Sequence, residues 1–227
     1  MGTRNLTLVY CDGQYRVAQY GQWDGYPSGQ GLTTLQFARD KMREGEFRSA
    51  VLNSTQISHD ELKALWAEAG ADNEGWVTME VSNKMRQLHP EYSRDTGADI
   101  LEIVQSHPEG MKLNLDLAFA AESLFCEWAW LIDLDARTFE GYEGFNESKE
   151  LTPEDRFYFL KDKEDDGYHA ITLAGKWPLD NLPTDEEFID YFKRREEQDD
   201  EADEDDEDEE DEEEDNADCD GFDEEDD

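Results

Sequence analysis

The sequence predicts an α+β fold with a largely antiparallel sheet packed with helices. Two observations carry this. Strand-like runs come in hairpin pairs, near residues 5–22 and 127–142. Helix-like runs are grouped between those pairs rather than alternating singly with strands, which argues against βαβ winding.

The first hairpin is the clearest element. Residues 5–11 alternate, with Leu6, Leu8 and Tyr10 on one side and Thr7, Val9 and Cys11 on the other. Asp12-Gly13 follows, a dipeptide suited to the two-residue turns that join antiparallel strands. Tyr15 to Gln22 returns as the second strand. Thr33-x-x-Gln36 has the form of a capping box and predicts a helix to about Arg43. Phe47 to Asn53 reads as a short strand. Ser58-x-x-Glu61 opens a helix with Leu62, Leu65, Trp66 and Ala69 on one face, and Gly70 stops it. Val77, Val81, Met85 and Leu88 form another apolar stripe, ended by Pro90. Gly97–Gln105 reads as a short helix, and so does the apolar stretch around 114–123. Glu127–Asp133 predicts a buried strand, turned by Asp135–Thr138 into Phe139–Tyr142. Thr152-Pro153-Glu154-Asp155 starts a helical turn, Tyr168–Ala174 a strand, and Thr184-x-x-Glu187 a last helix.

Charge sets the domain organisation. The 227-residue chain carries a formal charge of −41, from 61 acids and 20 bases. Residues 196–227 hold 25 acids and no base, which leaves 36 acids against the 20 bases elsewhere. That run offers little to bury, and ordering a residue costs roughly 1–2 kcal/mol of backbone entropy. Residues 1–195 are therefore read as one globular domain and 196–227 as a disordered acidic tail.

Composition also excludes function classes. Three cysteines without paired spacing argue against a disulfide framework and for a reducing compartment. The N-terminus lacks an apolar signal-peptide core, and no apolar run is long enough to span a bilayer. These observations predict a cytoplasmic protein without membrane contact. No basic stripe exists, so direct nucleic-acid binding is not expected. No phosphate-loop pattern or other cofactor motif occurs. The four histidines lack ligand spacing, so no metal site is expected.

The segment Gln19–Gly31, QYGQWDGYPSGQG, is too rich in glycine and aromatics for ordinary connecting chain. Two readings stand. In one it rims a pocket: Trp23 and Tyr26 stack a planar ligand, Asp24 accepts a hydrogen bond, and Gln19, Gln22 and Gln30 add amide contacts. In the other, Trp23 and Tyr26 plug the domain's own core. Arg4 is either a clamp for a ligand carboxylate or a brace to Asp24. Cys11 is a candidate nucleophile or a small apolar filler. Asp133 and Asp135 could form a carboxylate pair or a polar strand end at a turn. The acidic tail is a candidate ligand for a basic, nucleic-acid-binding partner.

The opening through QYGQWDGYPSGQG resembles a family of uncharacterised proteins of phages, bacteria and filamentous fungi that carry a QYGQWDGYP-x-GQG segment. WAWLIDLDARTFEGYEGF and DNLPTDEEF are similar to that family's later strand–turn–strand and closing segments. The likeness implies a fold and no particular activity; if the chain is phage-encoded, its expected place is the host cytoplasm, and the alternative reading is a phage-type interaction protein whose acidic tail and surface occupy a basic, nucleic-acid-binding partner. A strand running straight into a glycine-rich turn also resembles the N-terminal-nucleophile hydrolases. That likeness implies stacked sheets between helices and amide hydrolysis by a terminal Cys, Ser or Thr. The chain departs from it: removal of Met1 exposes Gly2, and Thr3, the candidate nucleophile, stays internal.

Overall fold

The computed structural model describes residues 2–72, 77–163 and 167–198. The chain divides into two units, Met1–Asp185 and Glu186–Asp227.

The first unit is built on a five-stranded sheet. Strands β1 (Asn5–Cys11) and β2 (Gln14–Gly21) form the first hairpin. Asp12 and Gly13 both adopt positive φ, 54° and 71°, as a tight turn of this hand requires. Strands β5 (Trp128–Asp133), β6 (Thr138–Glu143) and β7 (Thr172–Pro178) form an antiparallel meander. The order is β2-β1-β5-β6-β7, and the two blocks join through a parallel β1–β5 pair that aligns Asn5 with Trp128. The sheet is thus mixed but mostly antiparallel, and the α+β class holds. The second sheet is a parallel pair of two-residue strands, β3 (Thr55–Gln56) and β4 (Lys112–Leu113). Two large stacked sheets, as the hydrolase likeness implied, do not occur among the described residues.

Both sheet faces are covered. Leu6, Leu8, Ala129, Leu131 and Tyr142 pack against Ala120 and Ala121 of the short helical turn Leu117–Ala121, Leu160 of the turn Tyr158–Lys163, and Phe157 just before it. On the opposite face Trp130 meets a helical arm comprising Pro27–Gly31, α1 (Leu32–Gln36) and Phe37–Lys41. Helix α2 (Glu44–Asn53) follows, and Phe37 meets its Phe47 edge-to-face at 5.0 Å. Helices α3 (His59–Ala69) and α4 (Met79–Leu88) form a satellite core around Met85, with Leu62, Leu65 and Trp66. Helix α5 is Ile100–Gln105. A helix over 185–198 begins directly after Thr184, where the sequence placed its start, and all of it but Asp185 belongs to the second unit.

Several elements match the sequence, and several correct it. Ser58 and Glu61 form the full reciprocal capping box of α3, and Gly70 ends it in left-handed conformation. Residues 47–53 are helical, not a strand; Phe47, Ala50 and Val51 are the buried positions, a helical period. The arm starts at Pro27 rather than Thr33, whose hydroxyl donates back to the Gly29 carbonyl at 3.1 Å. The expected helix over 114–123 contracts to Leu117–Ala121, because Leu115 bridges to Ala18. Strand β7 lies four residues beyond the expected start and runs to Pro178, which sits on the sheet's edge, where a missing donor costs nothing. The acidic run from 199 onward, with Cys219, lies outside the described residues.

Candidate binding site

The loop after β2 shows how its glycines and aromatics divide the work. Gly25 and Gly31 are buried, and each sits where a side chain has no room. A Cβ on Gly25 would lie 2.7 Å from the Asn5 Cβ, and one on Gly31 would lie 2.6 Å from the Trp130 ring. Asn5 is fully buried and ties the loop down, its amide donating to the carbonyls of Thr3 (3.3 Å), Gly21 (3.3 Å) and Trp23 (3.2 Å). Trp130 Nε1–H donates to the Gly25 carbonyl at 2.8 Å. Gln30 accepts the Ala98 N–H at 2.8 Å. One side of the loop is thereby fixed to the core.

The other side faces outward. Trp23 is 46% exposed and Tyr26 40%, so neither plugs the core; Trp130 fills that place. Trp23 Nε1–H donates to Asp95 Oδ1 at 2.9 Å, and the Tyr26 hydroxyl donates to Asp24 Oδ1 at 3.0 Å. Asp24 holds a left-handed backbone, φ 56°, a conformation that costs most residues energy. Gln22 accepts the Tyr20 hydroxyl at 2.8 Å and donates its N–H to the Arg94 carbonyl at 2.9 Å. Arg4 does not meet Asp24. Its guanidinium lies 4.5 Å over the Phe125 ring, and its N–H donates to Glu127 at 3.1 Å.

The residues singled out in the sequence thus separate. Thr3, Arg4, Gln22, Trp23, Asp24 and Tyr26 gather at the end of the sheet where Asn5 pairs with Gly21. Cys11 lies at the other end of β1, about 20 Å away at strand rise. It is fully buried, and that burial pushes its thiol pKa up, against the thiolate a nucleophile needs. Asp133 and Asp135 do not act as a pair. Asp133 Oδ1 accepts the N–H groups of Asp135 (2.9 Å) and Ala136 (2.8 Å), and Asp135 accepts Gly13 N–H at 2.9 Å. Among the described residues no group of three or more His, Cys, Asp or Glu is placed to hold a metal ion. Among them, too, no helix is long and apolar enough to cross a membrane.

Two hollows went unnoticed in the sequence. The first, about 370 Å³, adjoins the loop. Its walls are Tyr20, Trp66, Tyr92 and Phe119, with Arg94 and Asp116 among its polar groups. Tyr20 and Phe119 meet edge-to-face at 5.1 Å. Loop and hollow share the 94–95 segment, since Arg94 lines the hollow and Asp95 holds Trp23. The aromatics come from β2, α3, the turn Pro90–Tyr92 and Leu117–Ala121, so no single motif announces them.

The second hollow, about 330 Å³, surrounds a cluster of charges on β6 and β7. Glu140, 1% exposed, accepts from Thr138 Oγ1 (2.7 Å), Tyr142 OH (2.5 Å), Lys176 Nζ (2.8 Å) and Arg156 Nε (3.0 Å). Arg156 also reaches Asp133 at 2.5 Å. Burial works to raise the Glu140 carboxyl, yet the bonds from Lys176, Tyr142 and Thr138, with the Arg156 charge, outweigh it and hold the group below its usual range. Burial first, then Glu140 itself, pushes the Tyr142 phenol far up. Each charge here has its partner, so the cluster acts as a brace tying residue 156 to the sheet. Its only sequence signal is Thr138-x-Glu140-x-Tyr142, three polar groups on one face of a buried strand.

No protein-family model, no curated protein and no solved structure matches this chain, so its own chemistry is what supports a functional reading.

Proposed function

We propose that the chain is a binding protein whose site is the aromatic hollow bounded by Tyr20, Trp66, Tyr92 and Phe119, with the outward side of loop 19–31 as its rim. One observation carries this reading: the loop's glycine side is anchored in the core, while Trp23, Asp24 and Tyr26 are held outward by hydrogen bonds next to a preformed hollow. A loop serving only to close the core has no need to hold two aromatics in solvent. Preformed, largely apolar hollows with a few polar groups are the common form of ligand sites. In this role Trp23 and Tyr26 supply flat contact area, Asp24 an acceptor, and Gln22 and Arg4 support the rim.

The test is a nuclear magnetic resonance screen of the full chain with small aromatic and ammonium compounds. Ligands that shift Tyr20 and Trp66 resonances in wild type, and bind at least about tenfold more weakly to Trp66→Ala with the fold retained, support the site. If no compound perturbs those resonances, the reading fails.

A second reading rests on the 25 acids of residues 196–227. In it the chain occupies a basic, nucleic-acid-binding partner electrostatically. Removing residues 199–227 should then abolish salt-sensitive binding to a basic protein such as a histone. Unchanged binding rejects a role for the tail.

A further inference from the structure

The aromatic hollow contains a carboxylate with no cation on it. Asp116 is half-buried, and its Oδ1 accepts the Asn114 amide at 2.7 Å. Its own N–H is spent on the Ala18 carbonyl at 2.9 Å. No lysine, arginine or histidine pairs with it among the described residues. Arg94 lines the same hollow but is exposed and makes no ion pair with it. Burial raises the carboxyl's pKa, opposed only by the Asn114 amide and the Tyr20 N–H, both neutral donors. A carboxylate removed from water is costly unless a positive charge accompanies it.

The rings that line the hollow with it point to the same missing partner. Tyr20, Trp66, Tyr92 and Phe119 come from four separate segments and all line one space, where Tyr20 and Phe119 meet edge-to-face. Aromatic faces attract cations, and several rings around one space suit an ammonium that carries methyl groups. A bare ammonium is strongly hydrated and needs acceptors for three N–H groups; a methylated one does not. The charge of the whole chain, −41, decides how such a group arrives, because it favours a ligand embedded in a basic protein over an isolated small cation.

We propose that the hollow receives an alkylated ammonium, presented as a modified lysine side chain of a basic protein, with Asp116 as counter-charge and the four rings as its walls. The proposal rests on the reading of this hollow as the binding site.

The test uses the full chain and four probes: free trimethyllysine, free lysine, choline, and a lysine- and arginine-rich peptide with one trimethyllysine. Sodium benzoate serves as an anionic aromatic control. Trimethyllysine should shift the Tyr20 and Trp66 resonances and bind at least tenfold tighter than lysine. The peptide should bind at least tenfold tighter than choline, with an affinity that falls as salt rises. Asp116→Asn, with an unchanged circular dichroism spectrum, should weaken trimethyllysine at least tenfold; Arg94→Ala should strengthen it. If benzoate binds and the cations do not, the ligand class is wrong while the hollow remains a binding site. Choline binding as tightly as the peptide overturns the protein source. Equal binding by wild type and Asp116→Asn overturns the role of the carboxylate. If no probe reaches the hollow, this proposal and the binding function fall together.

Discussion

Glu140 and Asp116 are both carboxylates taken partly or wholly out of water, and the protein treats them in opposite ways. Around Glu140 two cations and two hydroxyls close on the charge, and its pKa falls. Around Asp116 there are rings and neutral donors, and its pKa rises. Loop 19–31 repeats the contrast within thirteen residues: Gly25 and Gly31 are sealed against Asn5 and Trp130, while Trp23 and Tyr26 stand in solvent. Saturated contacts build the fold. Unsaturated ones, held in place by the saturated ones, are where a second molecule can add something.

The largest expected effect comes from opening the closed cluster. Glu140→Ala leaves Arg156 with Asp133 alone and removes the Lys176 partner, and should cost about 3–5 kcal/mol in urea unfolding, the usual price of breaking a buried ion pair. Asp116→Asn should leave stability within about 1 kcal/mol, since no ion pair is lost. Equal costs for the two would erase the distinction. Next comes Gly31→Ala, whose methyl meets the Trp130 ring; overpacking of this kind should cost about 1–3 kcal/mol of unfolding free energy.

Acid sharpens the same contrast. The Glu140 pKa lies below its usual value of 4.5, so its stabilisation is full above that pH and is lost as pH falls through the lowered value. Unfolding free energy should therefore decline on acidification below about pH 4.5, and this part of the decline should vanish in Glu140→Gln. Smaller still is Asp24→Gly. The left-handed backbone at Asp24 suits glycine, so the variant should gain up to about 1 kcal/mol, read as a higher melting temperature, while losing the acceptor for Tyr26. It is a better probe of function than alanine, which would be strained there. Trp23→Ala should cost no more than about 1 kcal/mol, since nearly half of the residue is in solvent and its one side-chain hydrogen bond, to Asp95, is exposed. A larger loss would mean the ring belongs to the closed side.

What the sequence revealed follows the reach of each interaction. The Asp12-Gly13 turn, the Ser58–Glu61 box and the Gly70 stop are local, and all three form. Phe47, Ala50 and Val51 carried a helical period, yet 47–53 is short and, with Phe47 and Val51 in it, also reads as a strand. The loop's importance was visible in its composition, but not which side faced inward, because Asn5 and Trp130 lie far off in the chain. Asn5 itself gave no signal; a lone asparagine in an alternating strand is ordinary until its amide meets three carbonyls. Both hollows draw walls from separated segments, which no spacing rule connects.

The parallel pairing of β1 with β5 has a kinetic consequence. Asn5 aligns with Trp128, 123 positions away, whereas the two flanking hairpins close over a few residues. Hairpins form in microseconds, while distant pairings wait for the intervening chain to be brought together. The central seam of the sheet is thus the late step of folding. Until it closes, the edges of β1 and β5, both rich in apolar residues, are open to pairing with other molecules, and a newly made chain is most prone to self-association in that interval.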